Sequence, residues 1–170
     1  SLMSRLDSMI RRLTAQRACL NWVASAVGGL PGPVLEIGLG NGRTYDHLLA
    51  RLPEREIHVF DRVMAAHPDS VPPAELLHLG ELEETLPRAQ KRIGSSAALA
   101  HADIGSGRPE QDRAVAILLS RLLPPLMRPG AFVLSDQELD AAALAPERLP
   151  DEVPPGRYFV YRRRTGQGSF

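Results

Sequence analysis

The sequence predicts an α/β fold, a doubly wound and mostly parallel sheet of about six strands behind a leading helix, and three observations carry that expectation. Short apolar runs alternate with helix-patterned segments, an order that builds a parallel sheet covered on both faces. The first run, Val34-Leu35-Glu36-Ile37, passes into a turn with glycine at positions 38, 40 and 42 and then into a helix start at Arg43. Glycines so spaced let the backbone turn tightly and meet a ligand where a Cβ would collide. Finally, Glu36, Asp61 and Glu81 put carboxylates near the ends of three successive runs, at the edge where open α/β sheets bind ligands.

Each element follows from local chemistry. Residues 4 to 27 read as the first helix, with Ser4 and Asp7 at capping-box-like spacing and Leu6, Ile10, Leu13, Cys19, Leu20, Val23 and Val27 mostly on one face. The glycine- and proline-rich stretch 28 to 33 ends that helix and leads into the first strand. Arg43 to Leu52 makes the second helix, stopped by Pro53. Glu54 to Asp61 is a β-branched and aromatic run, and Glu75 to Leu82 a third run that stops at Gly80 and Glu81. Glu83 and Glu84 suit the positive end of the next helix. Ala97 to Ala102 is the fourth strand, built of small residues, and Glu110 to Leu123 is a helix opened by Pro109 and closed by Pro124-Pro125. Ala131 to Ser135 is the fifth strand. Arg157 to Arg163 alternates as a last, antiparallel edge partner of the fifth, so one strand is expected after residue 137.

A chain of 170 residues is the size of one domain, 1–170, with the helix 4–27 leading a core 33–164. Its 20 basic and 20 acidic residues leave no net charge, so there is no electrostatic case for nucleic acid or an anionic membrane as partner. Cys19, the single cysteine, excludes an intrachain disulfide and a cysteine-built zinc site and suits a reducing cytoplasm. No apolar run approaches a membrane span, and the arginine-bearing first residues lack the pattern of a signal peptide.

The glycine spacing separates cofactor classes. A dinucleotide fingerprint needs a third glycine where Arg43 stands, and Glu36 would face the pyrophosphate, which counts against a nicotinamide oxidoreductase. A carboxylate at position 36 welcomes a cationic group instead. Asp61, one strand away, can accept hydrogen bonds from both hydroxyls of a ribose. The pattern Glu36-x-Gly38-x-Gly40-x-Gly42 resembles the first motif of the class I S-adenosylmethionine-dependent methyltransferases, and the likeness extends over residues 30 to 136 with several motifs in order. That resemblance implies a Rossmann-like methyltransferase fold, S-adenosylmethionine as methyl donor (EC 2.1.1.-), and a cofactor site made of Glu36, Gly38, Gly40, Asn41, Gly42, Thr44, Asp61, Glu81, Leu82 and Asp103. Glu36 would lie near the amino end of the methionine moiety, Asp61 at the ribose, and Glu81 or the wall of Leu82 at the adenine.

The acceptor side is read from the residues just past the fourth and fifth strands. No Asp-Pro-Pro-Tyr or Asn-Pro-Pro-Tyr is present, which counts against a nucleobase or glutamine amino group and leaves a small-molecule acceptor, an oxygen nucleophile, as the expectation. His101 and Asp103, on one side of the strand by alternation, are the candidate catalytic residues. Asp103 and Asp136 match two divalent-metal ligand positions of catechol-type O-methyltransferases, but Gln137 replaces that family's Asn, so no metal is assigned. Trp22 and Tyr45 read as pocket-lining or as core. Room for one late strand leaves the acceptor pocket to the first helix, the loops 63 to 73 and 103 to 109, the segment 137 to 156, or a second subunit, and a homo-oligomer is expected. The alternative is a methyltransferase-like cofactor-binding or assembly module without methyl transfer.

Overall fold

The structure, a computed structural model, describes residues 2–166. Helix α1 (Arg5–Ala26) starts as the capping pattern predicts: the Asp7 amide donates to Ser4 Oγ at 3.0 Å, and the Ser4 hydroxyl donates to the Asp7 carboxylate at 2.7 Å. Next come β1 (Val34–Ile37), α2 (Arg43–Arg51), β2 (Ile57–Asp61), two short 3₁₀ turns, β3 (Leu77–Leu79), α3 (Leu82–Ile93), β4 (Ala97–Ala102), α4 (Pro109–Leu122), β5 (Met127–Ser135), β6 (Leu144–Glu147) and β7 (Phe159–Arg163).

These strands form one seven-stranded sheet in the order β3-β2-β1-β4-β5-β7-β6, parallel from β3 to β5, with β7 antiparallel to both β5 and β6. The chain order reverses between β1 and β4, so the crevice above their carboxyl ends is the topological switch point. Helices cover both faces. One apolar cluster joins α1 and α2 to the sheet through Leu20, Val23, Leu48, Val59, Leu99 and Leu134, and a second joins α3 and α4 through Leu35, Phe60, Leu86, Leu119 and Val133. Burial from both sides explains why β1 and β4 are buried at every position.

The expected single late strand is corrected to two, and β7 is an interior strand rather than an edge. The missed strand, β6, contains Pro146 and lacks alternation; proline is tolerated because β6 is the sheet's last strand and bonds on one side. Strand β5 starts four residues early, at Met127, with an irregular register between Ala97 and Leu99 of its partner and Gly130 at φ +81°. Trp22 and Tyr45 are packing residues: Trp22 meets Phe132 edge-on at 5.7 Å, and Tyr45 is buried in the α1/α2 cluster. Arg162 lies over the same Phe132 ring at 4.7 Å.

Two histidines couple β2 to β3. His58 Nδ1 and His78 Nε2 are 3.0 Å apart, and His78 stacks on Phe60 at 4.5 Å. Burial, then the neighbouring His58 and the Arg92 and Arg88 guanidiniums, pushes His78 down to about 4. Above pH 6.5 the ring is neutral folded or unfolded; below that value the unfolded chain takes up a proton that the folded chain refuses until about pH 4. The urea midpoint is therefore expected to fall as pH drops from 6.5 towards 4, and to fall less in His78→Phe, which keeps the stack. Equal pH slopes in the two proteins would contradict this.

Candidate functional site

The glycine turn between β1 and α2 runs through three positive-φ positions, Gly38 (+88°), Gly40 (+52°) and Gly42 (+92°). Their reasons differ. A Cβ on Gly38 would stand 2.5 Å from the Asp103 carbonyl oxygen, and one on Gly42 would stand 2.6 Å from the Ser70 Cβ, so these two let β4 and the 63–73 loop pack against the turn. At Gly40 a Cβ would meet nothing within 4 Å.

Above the turn lies a cavity of about 640 Å³, and Gly38, Gly40, Asn41, Gly42, Thr44, Asp61, Glu81, Leu82 and Asp103 all border it. These residues come from four β-strand ends and were brought together as the sequence suggested. Asp61 also builds the turn that it serves. Its Oδ2 accepts from the Leu39 amide at 2.8 Å and from Gly40 at 3.2 Å, and its Oδ1 from Arg62 at 2.6 Å. Glu81 pairs with the Arg62 guanidinium at 3.1 Å across the rim.

The cavity has two different walls. Leu82, Ile104, Ala114, Val115 and Leu118, from α3, α4 and the loop between β4 and α4, make one side apolar. Arg12, Leu13 and Gln16 of α1, with Asn41, Arg43 and Thr44 from the turn and the start of α2, add a mostly polar and cationic set. The α1 contribution matches the expectation for the first helix, whereas the loop 63–73 and the segment 137–156 are not on the lining and α4 takes part unannounced. Gln16 is the residue most worth finding in the sequence. It is a polar side chain at i+3 from Leu13 and i−4 from Leu20, on the buried stripe of α1. Its amide nitrogen donates to Asp103 Oδ2 at 3.0 Å and to the Tyr158 hydroxyl at 2.5 Å, joining α1 to the end of β4 and to the residue before β7. Burial, then the Asp103 charge, pushes the Tyr158 phenol upward, so it stays protonated.

His101 and Glu36 are placed differently from Asp103. Both are fully buried and neither borders the cavity; His101 Nδ1 and Glu36 Oε1 are 2.6 Å apart, and the imidazole lies parallel to the Tyr158 ring. The helices cover both faces of β4 up to residue 102, and Asp103 is the first position past that cover. Alternation puts residues 101 and 103 on one side but not at one depth, which closes His101 to an acceptor. Burial opposes charge on the imidazole, yet the Glu36 carboxylate more than offsets it and lifts His101 above its ordinary value.

Asp136 also does another job. Its Oδ1 accepts from the Ile104 amide at 3.0 Å and its Oδ2 from Gly105 at 2.8 Å, clamping the loop after β4; a Cβ on Gly105 would stand 2.6 Å from that carboxylate. Burial, with the Asp103 charge contributing, raises the Asp136 carboxyl. A carboxylate with both oxygens committed to backbone amides does not fit a divalent ion, and among the described residues no group of three or more His, Cys, Asp or Glu is placed to hold one.

A doubly wound sheet with a glycine turn at its switch point, a carboxylate at the tip of the second strand and a cavity between them defines a nucleoside-cofactor-binding protein of the Rossmann-like class. The sequence profile of the S-adenosyl-L-methionine methyltransferases matches residues 3–163, and the chain belongs to this family, with S-adenosyl-L-methionine as its cofactor. It is similar to a crystal structure of an S-adenosyl-L-methionine methyl transferase from Silicibacter pomeroyi DSS-3, at 44% identity over 95% of this chain and 99% of that one, TM-score 0.90. At 15% identity it shares its fold with the sugar N-methyltransferase KedS8 from Streptoalloteichus sp ATCC 53650 (TM-score 0.62, 97% and 95% of the two chains). At 14% identity it shares it with the Burkholderia thailandensis 1,6-didemethyltoxoflavin-N1-methyltransferase, solved with 1,6-didemethyltoxoflavin and S-adenosylhomocysteine bound (TM-score 0.54, 97% and 92%). No curated protein matches the chain. Among the described residues no helix is long and apolar enough to cross a membrane.

Proposed function

We propose that this chain transfers the methyl group of S-adenosylmethionine to an oxygen of a small-molecule acceptor in the cavity beside Asp103. The observation that carries this reading is that Asp61, the glycine turn and Asp103 border one cavity with an apolar wall at one side. That apolar wall, with Leu82 and Ile104, suits a purine, and the remaining acceptor capacity of Asp61 suits a ribose. Glu36 does not border the cavity, so its buried carboxylate favours the ammonium of an amino acid by its charge from beneath the glycine turn rather than by direct contact.

When bound, the sulfonium supplies an already activated methyl group, so the protein's task is alignment of the acceptor at about 3–3.5 Å in line with it. In the proposed roles Gln16 fixes the Asp103 carboxylate by a 3.0 Å hydrogen bond, and Asp103 takes the acceptor's hydroxyl proton. Asp136 holds the loop 103–105 still through its two amide bonds. His101, closed off at the core, keeps Glu36 in place and does not meet the acceptor.

Titration calorimetry with S-adenosylmethionine and S-adenosylhomocysteine is expected to show one binding site per chain. Absence of binding at millimolar concentration would end the reading. Formation of S-adenosylhomocysteine with a panel of hydroxy, carboxy and amino acceptors then separates the enzyme from a binding module that holds the cofactor without turnover.

A further inference from the structure

Three arginines border the cavity, and they are not equivalent. Arg62 is neutralised by Glu81 at 3.1 Å. Arg12 of α1 and Arg43 at the start of α2 make no ion pair or hydrogen bond among the described residues, though both are exposed and the chain carries as many acidic groups as basic ones. They come from α1 and α2, which share one apolar cluster, whereas the apolar lining residues Leu82 of α3 and Val115 of α4 belong to the other; Leu13 and Gln16 of α1 line the cavity with Arg12. Arg43 opens a nine-residue helix whose N-cap, Gly42, has no side chain to offer the first amides, so the helix's positive end adds to the field there. Of the four lining carboxylates, Asp61 is held by the Leu39 and Gly40 amides, Asp103 accepts from Gln16, Glu81 pairs with Arg62 and Glu83 lies in α3, so none pairs with Arg12 or Arg43.

We infer that Arg12 and Arg43 receive a carboxylate of the acceptor, which makes the substrate class a small hydroxy acid. This rests on the methyltransferase reading above and narrows it. A guanidinium recognises a carboxylate through two parallel N–H···O bonds, and two unpaired guanidiniums beside a helix start form a wall that favours an acid over its neutral analogue. Leu13 gives the body of such an acid an apolar surface, and Gln16 with Asp103 faces its hydroxyl. The acid group is thereby held apart from Asp103, whose own charge would repel it.

The test uses the full chain saturated with S-adenosylhomocysteine and titrated with matched pairs, 4-hydroxybenzoate against 4-hydroxybenzamide and 3-hydroxybutyrate against 3-hydroxybutyramide. At least one acid is expected to bind ten times or more tightly than its amide. Arg12→Gln and Arg43→Gln should each erase most of that preference, and Arg12→Lys should keep part of it, because charge remains while the fork is lost. Equal binding of every acid and its amide, or binding of neither, overturns the inference. So does a tenfold loss of S-adenosylhomocysteine affinity in Arg12→Gln that spares 5′-methylthioadenosine, which lacks the amino-acid end, since the guanidinium would then serve the cofactor's own carboxylate. Failure of the wild-type chain to bind S-adenosylhomocysteine at all is a different result and removes the parent reading instead.

Discussion

Replacing His101 by alanine is expected to cost about 3–5 kcal/mol of folding stability, the range for removing one partner of a buried ion pair. The residue sits at 0% exposure with Glu36 at 2.6 Å, itself at 0% exposure, and the remaining polar atoms, Glu36 Oε2 and His101 Nε2, have no hydrogen-bond partner among the described residues. The loss is larger than a cavity alone would produce because a carboxylate stays behind in the core. Burial already raises the Glu36 carboxyl, with His101 the chief opposing influence. Without that opposition the folded chain holds a proton on Glu36 that the unfolded chain releases near its ordinary value. The variant should therefore lose stability as pH rises above the ordinary carboxylate value, a slope opposite in sign to that expected from His78. Urea denaturation at pH 5.5 and 8 measures both the loss and the slope. The double variant Glu36→Gln/His101→Gln, which removes both charges, should recover much of the stability. A cost below about 1 kcal/mol, or one independent of pH, would mean that the pair does not carry a buried charge.

Asp61→Ala should weaken S-adenosylhomocysteine by at least tenfold, and more than the loss of ribose bonds alone would require. Charge-assisted hydrogen bonds contribute about 1.5–3 kcal/mol each, and the affinity falls tenfold for about 1.4 kcal/mol. The carboxylate has a second duty: it accepts the Leu39 and Gly40 amides, in the stretch of turn with no Cβ contact to brace it. Asp61→Asn separates the duties. An amide oxygen can still accept from the turn or from the ribose, so an intermediate loss is expected. Calorimetry on the two variants reads the difference, and an unchanged Kd in Asp61→Ala would remove the residue from the site.

Much of the fold was legible because its signals are local. A glycine turn with φ near +90° has no substitute residue at Gly38 and Gly42, so it shows as glycine in the sequence. The strands buried on both faces read as continuous apolar runs, and the caps of α1 and α4 are written in Ser4, Asp7 and Pro109. Strand β6 was illegible for the converse reason. An edge strand of four residues with a proline owes its extended form to pairing with β7, a partner more than ten residues away. Within the site, Asp61 and the turn were readable because carboxylate and glycine types have few other uses at strand ends. Arg12, Gln16 and the α4 residues were not, because arginine, glutamine and valine on a helix are commonplace, and which helix face meets the cavity is set by packing.

The sequence by itself determined the doubly wound order of elements, the glycine turn with its flanking carboxylates, and hence the class of cofactor. Only the tertiary structure decided the depth of each carboxylate and imidazole. Glu36 and His101 are sealed as a pair, Asp136 is spent on a loop, and Asp103 alone of these four opens on the cavity. The physical reason is that side-chain chemistry travels with the residue, whereas solvent access and hydrogen-bond partners depend on where the cover ends, at Ala102, the last buried position of β4 and one residue before Asp103.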